Sequence, residues 1–405
     1  MSQSAGPDVP IHVPKGFSFS TGKAGIKASG RDDIAFIEAA PGTTAAALFT
    51  KNKVVAAPVT VGRASLAQTR GRIRAVIVNS GNANCATGAA GLRACQRICS
   101  RLGALLGVRP EEVFPSSTGI IGVPLPAEKI LAKLPKLASS KIASEDAVRR
   151  FAATILTTDT RSKLASISFD VGNAKVSLTG VAKGAGMIHP QLATMLVYLF
   201  TDVAAPVPLL KQSLKRACDE SFNLISIDGD TSTNDTVLLL ASGQSGISLK
   251  TLFVRKKFDD SLKEVCKSLA HQIVADGEGV QHVIRLQVDQ ARSRGEALKV
   301  AEAISRSLLV KTAWAGADSN WGRILAAIGA SGLPIDAGRV DIFIGKQKVC
   351  RNGASYPFNE KQAHSDLAES ECDVKVRLQR GSASLTFLTT DLTAEYVRIN
   401  ADYST

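Results

Sequence analysis

Apolar positions along the chain fall into two patterns, short β-branched or continuous apolar runs and longer Ala/Leu-rich stretches with helical spacing, alternating without a fixed repeat length. Ile73 to Val78 reads as a strand running into an Asn-Ser-Gly turn, and Gly91 to Leu106 as a helix with Leu92, Cys95, Ile98, Cys99, Leu102 and Leu105 on one face. The spacing predicts further helices over Ala127 to Leu134, ended by Pro135, and over Glu145 to Ile155. Phe169 to Thr179 reads as a strand or hairpin, Met195 to Phe200 as a buried strand and Val207 to Glu220 as a helix. A strand over Thr236 to Ala241, a long helix over Leu252 to Asp276, a strand over Val283 to Val288 and a helix over Gly295 to Lys311 follow. Val340 to Leu392 carries a period-two pattern, broken by the acidic segment Ser365 to Asp373. These alternations predict an α/β or α+β fold rather than a solenoid, and no stretch has linker composition.

The 405 residues exceed one ordinary core, so two or three cooperating units are expected. With 45% hydrophobic and 21% charged residues, the chain has the apolar material to fold. Its longest apolar runs fall far short of the roughly 18 residues of a membrane span, so a soluble protein with no membrane partner is expected. The first twenty-five residues contain no basic segment followed by an apolar run, and Asp8, Pro10 and Pro14 interrupt any helix there, so no secretory signal is expected. Seven cysteines without a CxxC pair argue against a disulfide framework or a zinc site and point to a reducing cytoplasm.

The net charge of +13 is unevenly placed: residues 1–193 hold 24 Lys and Arg against 11 Asp and Glu, and residues 194–405 hold 25 of each. Within the first half the charges are dispersed, and aromatic residues make up only 5% of the chain, too few for an evident base-stacking surface. No nucleic-acid partner is expected.

Several segments could carry chemistry. Lys183-Gly-Ala-Gly186-Met-Ile-His189-Pro190-Gln-Leu-Ala193-Thr194 places two glycines and a proline just before a threonine that opens an apolar strand. Such a pattern suits a peptide bond held in unusual geometry and cleaved by its own hydroxyl. Attack of Thr194 on the Ala193 carbonyl, followed by ester hydrolysis, would leave a threonine whose α-amine, with a reference pKa near ~8, is a built-in base. The same pattern also serves an ordinary strand start. Pro115-Ser-Ser117-Thr118-Gly119-Ile-Ile-Gly122 offers backbone N–H groups to a developing oxyanion, or forms a plain turn.

The amide-rich Asn79-Ser80-Gly81-Asn82-Ala83-Asn84-Cys85 suits loop ordering through Asx turns, and Cys85 reads as a small apolar residue. Asp228-Gly-Asp230-Thr-Ser-Thr-Asn234-Asp235 resembles a calcium loop only superficially: its glycine is at the second position and no Glu closes it, so a calcium role is rejected. Glu278, between two glycines after the long helix, reads as a solvated helix-end carboxylate or as a ligand for an ammonium group. The terminal run Tyr396 to Thr405 is rich in hydrogen-bonding groups and suits a tail folded over a site.

Together these segments resemble the ornithine acetyltransferase family, the arginine-biosynthesis bifunctional glutamate N-acetyltransferases. The resemblance rests on Asn79 to Asn84, Ser117-Thr-Gly119, Thr157-Thr-Asp-Thr160, Lys183-Gly-Ala-Gly-Met187, Ala193-Thr-Met-Leu196, Asp228 to Asp235, Asn320-Trp-Gly-Arg323 and Ile399-Asn-Ala-Asp-Tyr403, in family order over nearly the whole chain. Two departures are Cys85-Ala86-Thr87-Gly88, where the family commonly has Ala-Cys-Thr-Gly, and Pro190-Gln191-Leu192-Ala193, where it has Pro-Asn-Met-Ala. Neither removes a catalytic group.

The resemblance implies a four-layer α-β-β-α sandwich similar to the N-terminal-nucleophile hydrolases but connected differently. It also implies self-cleavage into an α chain (1–193) and a β chain (194–405) that remain together as an α2β2 heterotetramer. Thr194 would be the acyl-accepting nucleophile and Thr118 and Gly119 the oxyanion hole, while Thr157, Lys183, Thr194, Glu278, Asn400 and Thr405 would contact substrate. The implied reaction moves acetyl from N2-acetyl-L-ornithine to L-glutamate through an acetyl-threonine, without metal or other cofactor, and leaves open acetyl-CoA as a second donor. Lys183 would meet the substrate α-carboxylate and Glu278 the ornithine ammonium. An N-terminal-nucleophile hydrolase or aminopeptidase would use the same threonine but deliver the acyl group to water, and a non-catalytic polyanion-binding protein would use only the basic first half.

Overall fold

The computed structural model describes residues 10–189 and 195–402. The first half contributes β1 (Phe17–Gly22), β2 (Ile34–Ala39), β3 (Thr44–Phe49), α1 (Ala57–Gln68), β4 (Ala75–Asn82), α2 (Gly88–Leu106), β5 (Val113–Ile120), α3 (Ala127–Ser139), α4 (Glu145–Thr154), β6 (Lys163–Val171) and β7 (Ala174–Lys183). The second half contributes β8 (Leu196–Thr201), α5 (Val207–Asp219), β9 (Thr236–Ala241), α6 (Leu252–Ala275), β10 (Val283–Ala291), α7 (Arg294–Arg306), α8 (Leu308–Ala315), α9 (Trp321–Gly329) and β11 (Asp341–Ile344). It ends with β12 (Gln347–Arg351), β13 (Ala354–Ser355), α10 (Glu360–Ala368), β14 (Glu371–Arg377), β15 (Ala383–Thr390) and α11 (Ala394–Asp402).

Two sheets stack face to face, one in the order β1-β2-β4-β5 and the other in the order β3-β9-β8-β7-β6. Strand alternation explains why each is covered on both sides. In the first sheet Phe17, Phe19, Ile37, Val76, Val78 and Phe114 point inward, while Ile34, Phe36, Ile77 and Val113 point out onto α2 and α3. In the second, Tyr198, Phe200, Leu238 and Leu240 point inward, while Val197, Leu199, Val237 and Leu239 point out onto α5 and α6. The result is the expected α-β-β-α stack. Phe200 contacts Phe17 and Phe19 across the inner layer at ring distances of 5.4 and 5.3 Å, and Phe151 of α4 closes one side of it against Tyr198.

The order of the second sheet weaves the two halves of the sequence together. β8 pairs antiparallel with β7 and parallel with β9, and β9 pairs antiparallel with β3. Beyond the sandwich lies a third sheet, β13-β12-β11-β14-β10-β15, with α7, α8, α9 and α10 around its own core. The period-two pattern of Val340 to Leu392 becomes five strands of that sheet, β11 to β15, interrupted by the helix Glu360–Ala368.

Three element boundaries differ from the sequence expectation. α3 continues through Pro135 to Ser139, because Leu134 and Leu137 are both buried in the same cluster and packing outweighs the hydrogen bond lost at the proline. The helix expected over Gly295 to Lys311 is two: α7 ends at Arg306, and the extended Ser307 accepts the Val310 N–H to start α8. Phe169 to Thr179 is the tip of a longer hairpin, β6 and β7, paired from Lys163↔Ala182 to Val171↔Ala174. β1, β2 and β3 precede the first element the pattern predicts; Ala-rich Thr44–Phe49 lacks the β-branched signature of a strand.

Candidate active site

The C-terminal ends of the parallel pair β4–β5 are tied together by amides. Ser117 Oγ donates to Asn79 Oδ1 at 2.6 Å, and Asn79 Nδ2 donates to Asn82 O at 2.8 Å. Asn82 Oδ1 accepts the Asn84 N–H, and Asn84 Nδ2 reaches Gly91 O in the first turn of α2. The Asn79 to Asn84 amides therefore order the bulged end of β4 and the loop after it; Asn79 to Asn82 are strand, not the turn the sequence suggests, because they pair with β5. A register shift at Asn82 sets Thr118 and Gly119 against Gly81 and Asn82. Gly119 adopts φ of 132°, and a Cβ there would overlap the Gly81 and Asn82 backbone, so this position requires glycine.

Opposite these strand ends, Lys183 ends β7 and Thr157 follows α4. The buried Lys183 Nζ donates to Thr157 Oγ1 at 2.8 Å and lies 3.5 Å from Asp159 Oδ2. Asp159 also accepts from Lys163 Nζ at 2.7 Å and from the Gly184 N–H at 2.6 Å, while Lys163 Nζ reaches Asp276 Oδ2 at 2.6 Å. Burial alone would raise the Asp159 carboxyl, but the Lys183 and Lys163 ammoniums hold it well below the usual carboxylate range. Two lysines and two aspartates thus form a buried, charge-balanced network directly behind the cleft.

A third wall comes from the end of α6 and from α11. Glu278 N–H donates to Ala185 O at 2.8 Å, and a Cβ on Gly186 would lie 2.5 Å from the Glu278 carboxylate, so bare backbone at 186 lets this side chain lie against it. Asn400 Nδ2 donates to Glu278 Oε2 at 2.8 Å. Glu278 is therefore a half-buried, partnered carboxylate rather than a solvated helix end. Asp228 accepts N–H groups from Met187, Ile188 and Asp230, and the Tyr396 hydroxyl donates to it at 3.3 Å. Burial pushes the Asp228 carboxyl up to about 6 against the pull of those N–H groups.

Thr118, Gly119, Thr157, Lys183, Glu278 and Asn400 all line one cleft of about 220 Å³. Ala193, Thr194 and Thr405 lie outside the described residues; the chain resumes at the buried Met195, whose N–H donates to Asp235 Oδ1 at 2.9 Å. Asp228, Asn234 and Tyr396 also line the cleft, and sequence reasoning did not assign them to it. Asp159 and Lys163 had a readable signal, a four-residue acid-to-base spacing beside Thr157, which only burial distinguishes from a surface pair. The cleft can hold a small molecule with a cation at one wall, carboxylates at another and N–H-bearing backbone at the third. Among the described residues no helix is long and apolar enough to cross a membrane.

A chain of the same proportions is found elsewhere. The Methylococcus capsulatus protein called arginine biosynthesis bifunctional protein ArgJ is 44% identical over 403 residues, covering 98% of this chain and 97% of its own. The Pseudomonas syringae pv. tomato protein of the same name is 40% identical over 410 residues, with both chains covered in full. Among solved structures, ArgJ from Bacillus halodurans is 39% identical with a TM-score of 0.49, covering 51% of this chain and 98% of that one. Ornithine acetyltransferase from Mycobacterium tuberculosis, in complex with ornithine, is 36% identical with a TM-score of 0.39, covering 44% of this chain and 94% of that one. The model of the ArgJ family matches residues 18–405, and the chain belongs to the ArgJ family.

Proposed function

We propose that this protein is an acetyltransferase of arginine biosynthesis that moves the acetyl group of N2-acetyl-L-ornithine to L-glutamate. It does so through an acetyl ester on Thr194, after cutting itself between Ala193 and Thr194. The observation that carries the reading is the convergence of Thr118, Gly119, Thr157, Lys183, Glu278 and Asn400, from five separate segments, on one cleft. The names of the full-length relatives support the pathway.

In the first half-reaction the Thr194 hydroxyl attacks the acetyl carbonyl while the freed α-amine of Thr194 takes its proton. The negative charge that develops on the carbonyl oxygen is received at the Thr118–Gly119 end of β5, whose backbone is already fixed by the Asn79–Ser117 and Asn79–Asn82 bonds. The C–N bond breaks, the same amine returns the proton to the leaving nitrogen, and ornithine departs. Glutamate then occupies the cleft and its amine attacks the ester, giving N-acetylglutamate and restoring the threonine. Lys183, steadied by Thr157 and Asp159, faces the α-carboxylate common to both amino acids. Glu278, held by Asn400, faces the ornithine side-chain ammonium. The chemistry needs no cofactor, and the two pieces remain together, as an α2β2 assembly in the cytoplasm. Acetyl-CoA is a second donor to be tried in the same assay.

Denaturing intact mass measurement followed by N-terminal sequencing tests the processing, and acetyl transfer from acetylornithine to glutamate tests the reaction. Two fragments, the second starting at Thr194, with N-acetylglutamate formed in excess of free acetate are the expected result. Thr194→Ala should leave one uncut, inactive chain. A folded wild-type chain of full length, or acetate as the main product, would overturn the reading.

A further inference from the structure

The Asp228 to Asp235 segment carries acidic and amide side chains that the reaction above leaves unused, and its last two residues face opposite parts of the machinery. Asn234 Nδ2 has two protons and gives them to Ala83 O at 2.7 Å and Ser117 O at 2.9 Å. Ser117 O belongs to the peptide bond whose N–H is that of Thr118. The next residue, Asp235, accepts the Met195 N–H through Oδ1 at 2.9 Å, and Met195 O accepts the Thr236 N–H at 3.1 Å. The Met195 N–H belongs to the peptide bond whose carbonyl is that of Thr194. Consecutive side chains therefore grip the peptide next to the Thr118–Gly119 stretch and the peptide next to the nucleophile.

The grip is itself anchored. Thr50 N–H donates to Asp235 O at 3.1 Å, Thr50 Oγ1 donates to Ser232 O at 2.6 Å, and Thr233 Oγ1 donates to Asn234 Oδ1 at 2.6 Å. With both Nδ2 protons engaged, Asn234 lines the cleft yet has none to offer a ligand. Resting on the reading of Thr194 as nucleophile, we propose that Asn234 and Asp235 are positioning residues that together set the distance between the nucleophile and the Thr118–Gly119 end of β5. Burial also pushes the Asp235 carboxyl well above the ordinary carboxylate range, so an amide is a close substitute for it.

A spacing role and a merely structural role separate in the kinetics. The full-length variants Asn234→Ala, Asp235→Ala and Asp235→Asn are compared with wild type for the fraction cut at Thr194, for kcat and KM with acetylornithine and glutamate, and for Tm. Displacing reacting groups by about 1 Å costs on the order of 100-fold in rate, whereas the substrate-contacting groups stay in place. Asn234→Ala and Asp235→Ala are expected to lose about 10- to 100-fold in kcat or in processing rate with KM changed less than about threefold. Asp235→Asn, whose amide oxygen accepts the same N–H, is expected to recover to within about threefold of wild type. Normal kcat in both alanine variants, or a raised KM with kcat intact, overturns the proposal alone. If Asp235→Ala does not fold, Asn234→Ala decides by the same split. A wild-type chain that neither cuts itself nor transfers acetyl overturns the proposal together with the reading beneath it.

Discussion

The two long walls of the cleft are made of different material. The wall around Thr118 and Gly119 is neutral: amides, hydroxyls and backbone, with every named bond between uncharged groups. The wall behind Lys183 is ionic, with Lys163, Asp159 and Asp276 buried beside it. A neutral wall can receive transient charge on the reacting oxygen without changing its own protonation, so its contribution does not vary with pH. An ionic wall can hold a permanently charged substrate group, but only while each of its members keeps its charge.

Breaking the ionic wall should have the largest effect on stability. Asp159→Ala leaves Lys163 and Lys183 buried with one fewer counter-charge, and a loss of about 3–5 kcal/mol is expected in urea denaturation. The neutral wall should break in rate. Gly119→Ala forces the ends of β4 and β5 apart, and kcat is expected to fall about 100-fold or more, equally at pH 6 and pH 8.

Acid sharpens the contrast further. The Asp159 carboxyl is depressed, so its stabilising contribution is full above the unfolded value near ~3.9 and lost only as pH falls below it. Asp228 is raised, so its contribution to stability is full below ~3.9 and is lost as pH climbs through about 6. As pH drops from 7 to 5, Asp228 takes up a proton and the cleft loses a negative charge. KM for the donor, whose ammonium lies at this carboxylate wall, should rise about threefold while Tm does not fall on account of either carboxyl. An effect of similar size belongs to Asn400→Ala, which removes one exposed hydrogen bond to Glu278. A two- to fivefold rise in KM for acetylornithine, with kcat retained, is expected from steady-state kinetics.

What could be read from the sequence follows the same division. Local signals carried far: the density of amides in Asn79 to Asn84 announced a segment ordered by side-chain hydrogen bonds, and the unbroken apolar runs Met195–Phe200 and Thr236–Ala241 announced strands covered on both faces. Signals that depend on partners distant in sequence did not carry. Asp159 and Lys163 look like a solvated pair until Asp276, 113 residues beyond Lys163, arrives to bury them. Likewise Asp228 and Asp235 look like a failed metal loop until Met187, Ile188 and Met195 supply the N–H groups they accept. Pro135 was misread for a related reason, since propensity predicts a stop where tertiary packing supplies a reason to continue.

The strand order of the second sheet bears on what a cut before Thr194 would do. Strands β3, β6 and β7 precede that point and β8 and β9 follow it, yet all five share one sheet, with β9 and β8 held between β3 and β7. Six residue pairs join β7 to β8 and six more join β3 to β9. Severing the backbone there would untie nothing: the two polypeptides would remain interleaved like the fingers of clasped hands. Neither could leave without dismantling the core common to both, so the pieces should melt together as one cooperative unit.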